Sequence, residues 1–196
     1  MPAAYVAAVL ELTGRTVSPE EVVSHYSAGP AIAILTALLR RSSTPDDLAC
    51  YHRHLESRVA GISCYGGIDE ALERLMALVP MAVFTGAGRE AAELLLRQVG
   101  LRRYFPVLVT GDDISHPKPA PDGVIAACEA LGVAAERAAY VGDAPNDLRA
   151  AKAAGVVAVA AAWGHEFDAS VASDTVIHAP SHLARLLGGG DDENTT

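Results

Sequence analysis

From Gly66-Gly67 onward the chain alternates short runs rich in valine and alanine with amphipathic stretches of helical length, and few folds satisfy that alternation. Strands joined by helical crossovers run parallel, and a parallel sheet is covered by helices on both faces, so its strands read as continuous apolar runs. The spacing predicts strands at residues 81–85, 107–110, 138–142, 156–160 and 175–177, each buried on both faces, with helices at 89–99, 122–131, 145–154 and 181–187. Gly100, Gly132 and Gly155 follow three of those helices, where a left-handed residue closes the last turn. The class is α/β with a parallel sheet.

The first 65 residues carry a different grammar. Ser18-Pro19-Glu20-Glu21 sets a capping hydroxyl before a proline at the first helical position and a glutamate at the third, and Thr44-Pro45-Asp46-Asp47 repeats the device. Between them residues 31–39 are apolar enough for an internal helix of a small bundle, which stops at Arg40-Arg41-Ser42-Ser43. About four helices and no strand are expected there. The organisation is therefore a helical unit over 1–65, an α/β unit over 66–187, and a tail, GGGDDENTT, over 188–196 that has nothing to bury and is expected to be disordered.

Composition narrows the partners. A chain of 196 residues that is half apolar has material for one core, or for a domain with an insert. No stretch approaches the ~20 uninterrupted apolar residues of a spanning helix, so no membrane partner is expected. The start lacks the basic, apolar and small-residue zones of a secretory leader, which points to the cytoplasm. A formal charge of -9 with scattered Lys and Arg disfavours nucleic acid. Cys50, Cys64 and Cys128 form no CxxC pair and read as reduced, mostly buried thiols, not as metal ligands or nucleophiles. His25, His52 and His54 read as residues of solvated helix faces. The apolar first helix fits a monomer or a homodimer.

Three segments carry chemistry. Val83-Phe84-Thr85-Gly86 ends a strand with a hydroxyl and a glycine, and Gly88-Arg89-Glu90 opens a helix. A hydroxyl and free backbone N–H groups at the carboxyl end of a parallel strand can hold a phosphate oxygen, unless Thr85 only ends the strand. In His116-Pro117-Lys118-Pro119 the prolines stiffen the loop on both sides of the lysine. A solvated lysine gains nothing from that, whereas one that places its ammonium on a phosphate or carboxylate does. In Val141-Gly142-Asp143-Ala144-Pro145-Asn146-Asp147 an apolar strand delivers Asp143 to the sheet's edge, and Asp147 follows four residues later at a helix start. Both carboxylates can then face one point, which suits a hard divalent cation, Mg2+ first; a helix cap explains one of them but not the pair.

In this order and at these distances the three segments resemble the haloacid dehalogenase superfamily, and within it the phosphoglycolate-phosphatase-like branch, over nearly the whole chain. The resemblance implies a Rossmann-like core and a small α-helical cap, residues 1–65, inserted after the first strand and closing over the site. It implies that Thr85, Gly86 and Lys118 bind phosphate, that Thr85 and Lys118 serve catalysis, and that Asp143 and Asp147 hold Mg2+. The implied activity is phosphatase, through an aspartyl-phosphate, on a small phosphorylated acid or sugar such as phosphoglycolate. Trp163-Gly164-His165 resembles a loop that family members place at the site rim, or is a packing tryptophan.

The family's first motif, an apolar strand ending in a DxDGT-like sequence that bears the nucleophile, has no counterpart in these 196 residues. Asp69, Asp112 and Asp113 do not end an apolar strand in the right order. Relatives commonly follow that motif with a stretch like DSMPA, so Met1-Pro2-Ala3-Ala4 makes Met1 look like an internal methionine of a truncated phosphatase. The absent strand is central in the family's sheet, between those at 81–85 and 138–142, and its loss opens a gap of about 10 Å, two strand spacings. Either the flanking strands close up and pair, or two rows of backbone groups lose partners. Two other readings share the fold: a non-catalytic remnant that keeps the phosphate and Mg2+ pocket as a binding or interaction module, and dehalogenase or phosphosugar mutase chemistry. A dehalogenase has no need of the Asp143/Asp147 pair.

Overall fold

The computed structural model describes residues 2–187, and the tail expected at 188–196 lies outside the described residues. Helices α1 (Pro2–Thr13), α2 (Pro19–Ser24), α3 (Ala31–Leu39) and α4 (Pro45–Val59), with a 3₁₀ turn at Tyr26–Ala28, build a helical layer. Both expected caps form. The Ser18 hydroxyl accepts from the Glu21 N–H at 3.1 Å. Thr44 Oγ1 accepts from the Asp47 N–H at 3.3 Å while Asp47 Oδ2 accepts from the Thr44 N–H at 2.8 Å, which satisfies two helix-end donors reciprocally. Asp47 is buried, and the Arg41 guanidinium grips it with bonds of 2.6 and 2.8 Å, holding its carboxyl well below the usual carboxylate range.

The layer has its own core of Tyr5, Val9, Val22, Leu35, Leu38 and Leu55, with the Tyr5 and Tyr51 rings stacked 4.2 Å apart, and this core extends to Ala91 of α6 (Arg89–Gln98). His52, expected on a solvated face, is instead buried, because α6 packs against α4; its Nδ1 meets Glu90 Oε2 at 2.8 Å. Of the three thiols Cys50 is buried, Cys128 half-buried and Cys64 exposed.

The remaining α-helices and strands are α5 (Ile68–Met76), β1 (Ala82–Phe84), β2 (Val107–Val109), α7 (Asp122–Leu131), β3 (Ala139–Gly142), α8 (Pro145–Ala154), β4 (Val157–Ala161) and β5 (Thr175–Ile177), with 3₁₀ turns at Arg102–Tyr104 and Ala135–Arg137. Each strand falls within a residue of the sequence spacing. Residues Pro180–Leu187 form a 3₁₀ helix and not the α-helix expected at 181–187. Helix α5 had no counterpart in the sequence reading; Ala71 and Leu75 on one face pack against Val159, Ile177 and Leu183.

All pairing is parallel, yet the strands do not form one sheet. β1 pairs with β2, Phe84 opposite Val109, and β3, β4 and β5 form a second ladder, Gly142 opposite Ala160 and Ala161 opposite Ile177. Among the described residues no ladder joins β1 to β3, so the flanking strands have not closed up. Burial follows from this. Only Val157 of β4 is exposed, whereas β1 and β3, expected to be covered on both faces, are largely half-exposed because each presents an open edge.

Helices and side chains hold the two half-sheets together. α7 packs on β1 and β2, α8 packs on β3 and β4, and the two helices pack on each other. Phe84, Val109, Val124, Leu148 and Ala158 accordingly share one apolar cluster. No helix among the described residues is long and apolar enough to cross a membrane.

Replacing Asp47 by asparagine keeps the side chain's shape and removes the charge from a gripped, buried position. The expected loss at neutral pH is about 1–3 kcal/mol, read from urea denaturation. Because the folded carboxyl titrates below its unfolded value of about 4, its stabilisation is complete above that pH and is lost as the pH falls further. The difference between wild type and D47N should therefore narrow in acid; a constant difference would show that the charge contributes nothing.

Candidate active site

Lys118 leaves the loop between β2 and α7 and reaches α8, where its Nζ donates to Asp147 Oδ1 at 2.6 Å. The same ammonium lies 3.5 Å from the Tyr140 hydroxyl and 5.1 Å from the centre of the Phe84 ring. The ladder of β1 explains what Phe84 contributes. The Thr85 N–H bonds the Val109 carbonyl at 3.0 Å, and backbone groups of successive strand residues point to opposite sides, so Phe84 turns its carbonyl to the open edge. There it accepts from the Tyr140 hydroxyl of β3 at 3.3 Å, and Asp147 Oδ1 lies at the same distance from that hydroxyl. Burial first, then the Asp147 charge, pushes the Tyr140 phenol well above its ordinary value, so it remains a donor. One polar knot thus ties β1, the lysine loop, β3 and α8 across the gap.

Both acids of the Gly142–Asp147 segment rest against a glycine. Asp147 is buried and does cap α8, its Oδ2 accepting from the Ala144 N–H at 3.3 Å, while its Oδ1 takes the lysine. A Cβ on Gly142 would fall 2.4 Å from the Cβ of Asp147. Asp143 stands one residue past β3, with Oδ2 accepting from the Glu166 N–H at 3.2 Å and His165 Nδ1 at 3.9 Å. A Cβ on Gly164 would fall 2.1 Å from its Cβ. In the Trp163-Gly164-His165 loop the tryptophan packs against the Val159/Ile177 cluster, and the two residues after it lie against Asp143.

Thr85 and Gly86 follow Phe84 at the carboxyl end of β1. The Thr85 hydroxyl accepts from the Ala87 N–H at 3.2 Å, and Gly111 packs so closely on the Gly86 carbonyl that a Cβ there would lie 2.5 Å from it. The structure thus brings Lys118 and Asp147 into direct contact, and sets Thr85, Gly86 and Asp143 on the chain segments that border them. Sequence reasoning missed Tyr140 and the Phe84 carbonyl. The available signal was a tyrosine inside an Ala/Val strand, whose hydroxyl needs a partner once buried.

The alternative carboxylates are engaged elsewhere. Asp113 accepts from Arg89 at 2.5 Å and from the Thr110 hydroxyl and N–H at 2.6 and 2.8 Å, and Arg89 first, then Thr110 against burial, draws its carboxyl down to about 2. Asp112 accepts from the Arg89 N–H at 2.7 Å, and Asp69 from Arg103 at 2.7 Å and Tyr104 at 3.0 Å. Two clefts of about 390 and 380 Å³ lie beside β5 and between the helical layer and α6, and neither is lined by Thr85, Lys118, Asp143 or Asp147.

A parallel α/β unit whose strand ends gather a hydroxyl, a lysine and two acids belongs to the class of Rossmann-like folds that hold anionic ligands at the carboxyl edge of the sheet. Residues 3–161 match the model of the haloacid dehalogenase-like hydrolases, and the chain belongs to that family, whose phosphatases are phosphomonoester hydrolases. It is 30% identical over 188 residues to the phosphoglycolate phosphatase of Aquifex aeolicus, covering 93% of this chain and 88% of that one. With the phosphoglycolate phosphatase of Chromobacterium violaceum it shares 28% over 184 residues, 88% and 82% of the two chains. Among solved structures, CbbY from Rhodobacter sphaeroides in complex with phosphate superposes with a TM-score of 0.78 at 23% identity, covering 93% of this chain and 88% of that one, which establishes a common fold.

Lys118→Met strips the ammonium from a buried carboxylate and should cost about 2–4 kcal/mol in urea unfolding. Adding Asp147→Asn to that variant should recover much of the loss, since the uncompensated charge disappears. Strictly additive losses would show that the pair is not coupled.

Proposed function

We propose that the chain is a phosphatase of small phosphorylated acids or sugars, phosphoglycolate among them, working through an aspartyl-phosphate. The observation that carries this reading is the knot at the ends of β1 and β3, where Lys118, Asp147 and Tyr140 meet with Asp143 alongside. Relatives called phosphoglycolate phosphatase support the substrate class.

Lys118 can turn from Asp147 to a phosphoryl oxygen without leaving its stiffened loop. The Thr85 hydroxyl accepts from the Ala87 N–H and so keeps its own proton free to donate to a phosphate oxygen. Gly86 has no side chain to obstruct that approach. Asp143 and Asp147 fit a hard divalent cation: every donor is oxygen, the two carboxylates lie within one strand–turn–helix unit, and Asp143 Oδ1 accepts no hydrogen bond among the described residues. They would hold Mg2+, which when bound offsets the charge of the phosphoryl oxygens.

Attack needs a carboxylate at the open edges of β1 and β3; Asp69 and Asp113 are bound to arginine side chains, and Asp112 accepts from the N–H at the start of α6. The reading assigns the nucleophile to an apolar strand ending in aspartate that lies outside these 196 residues and pairs with both edges. Its carboxylate oxygen bonds to phosphorus as the substrate oxygen departs and takes a proton. Water then cleaves the acyl phosphate, releasing phosphate and restoring the carboxylate. The helical layer, with its own core, is read as the cap that selects the substrate.

The test is Mg2+-dependent release of phosphate from a panel of small phosphomonoesters, comparing this chain with one extended upstream in its reading frame. Turnover by the extended chain alone, abolished by Asp143→Asn, is the expected result. If the upstream frame encodes no such strand and neither protein turns over, the phosphatase reading fails and a non-catalytic binding module replaces it.

A further inference from the structure

We propose that Glu11, Cys50 and His54 form a zinc site at the seam of α1 and α4, separate from the candidate active site. Cys50 and His54 stand four residues apart on α4 and so share one face, and α1 packs along that face and brings Glu11 to it. One ligand atom from each lies within 4.8 Å of the other two, and His54 Nε2 is 2.7 Å from Glu11 Oε2. Tetrahedral zinc with bonds of about 2.0–2.3 Å sets its donors roughly 3.3–3.6 Å apart, so shifts of about 1 Å complete the site.

The donor set selects the metal. A thiolate and an imidazole favour zinc over Mg2+, and three protein ligands leave a fourth position for water. The thiolate and the Glu11 carboxylate together balance the charge of the ion. Access is graded: Cys50 forms the floor at 2% exposure, His54 is partly covered, and Glu11 opens to solvent. Arg53 holds Glu11 Oε1 at 2.8 Å and so leaves Oε2 to the ion.

Binding requires two proton movements. The Cys50 thiol releases its proton to solvent as the metal enters, because only the thiolate ligates. His54 must offer Nε2 and carry its proton on Nδ1. Arg58, now 3.3 Å from that Nδ1, can release it because it keeps the Ser57 hydroxyl at 3.0 Å and the His54 carbonyl at 2.9 Å. A surface ion network accounts for Arg53, Glu11 and His54; it does not account for a buried thiol whose sulfur lies within 4.8 Å of the same carboxylate.

The test titrates the reduced, full-length chain, in a Cys64→Ser background, with Co2+ and then Zn2+. One equivalent of Co2+ should produce thiolate-to-cobalt charge-transfer absorption in the near ultraviolet and the intense visible bands of four-coordinate cobalt, and Zn2+ should bleach both. Cys50→Ser should lose the charge-transfer band. His54→Ala and Glu11→Gln, at more exposed positions, should weaken Co2+ binding roughly tenfold or more. Asp143→Asn combined with Asp147→Asn should leave the spectrum unchanged, which separates this site from the acid pair. Absence of the charge-transfer band in the parent, or unchanged affinity in H54A and E11Q, would overturn the proposal.

Discussion

The ion pair between Lys118 and Asp147 stands where a sheet would ordinarily be continuous. Ladders of backbone bonds cover β1–β2 and β3–β4–β5, and between them the described residues offer no ladder at all. A side-chain ammonium from one half and a buried carboxylate from the other take that place, and Tyr140 carries the connection to the β1 backbone through the Phe84 carbonyl. A charge-assisted bond of this kind contributes about 1.5–3 kcal/mol, comparable to a few ladder bonds but confined to one point. The edges of β1 and β3 remain available on either side of it, which is why both strands are only half-covered while β4 is buried.

That arrangement places cohesion on the same residues to which the proposed chemistry is assigned. Lys118 and Asp147 neutralise each other at rest, and a phosphate would compete with Asp147 for the ammonium. The apolar contacts between the two half-sheets would not depend on such an exchange. α7 and α8 pack across the gap, and Phe84 and Leu148 belong to one cluster. The polar knot can be rearranged while the helices keep the halves in register. Close packing at Gly142 and Gly164 adds the precision, since each acid rests against a backbone with no room for a side chain.

How much of this was legible in the sequence depended on whether the signal was local. The strand at 138–142 and the helix at 145–154 announced themselves through an apolar run and a proline at the first helical position, and the structure has both nearly to the residue. The two acids followed, because their spacing lies within one strand–turn–helix unit. Helix α5 was missed because Gly66-Gly67 reads as loop and Gly67 supplies no side-chain cap. Tyr140 was missed because its importance depends on which edge of β3 is open, a property of strand order. His52 was misjudged for the same reason: whether a position on α4 is buried is decided by α6 and α1, which pack against it from distant parts of the chain.

Helix α6 links the helical layer to the candidate site. The layer's core closes on itself except where it reaches Ala91, with Leu94 and Leu95 packed beside it. The same helix begins just past Thr85-Gly86, and its first residue, Arg89, is fastened to Asp112, Asp113 and the Leu108 carbonyl of β2. His52 of α4 meets Glu90 in the next position. The first turn of α6 therefore touches the layer on one side and the ends of the β1–β2 ladder on the other. The contact is not confined to that helix, since Pro30 of the layer also lies against Gly111, just past β2; a layer with its own core keeps its packing independent of the sheet while resting on it at these points.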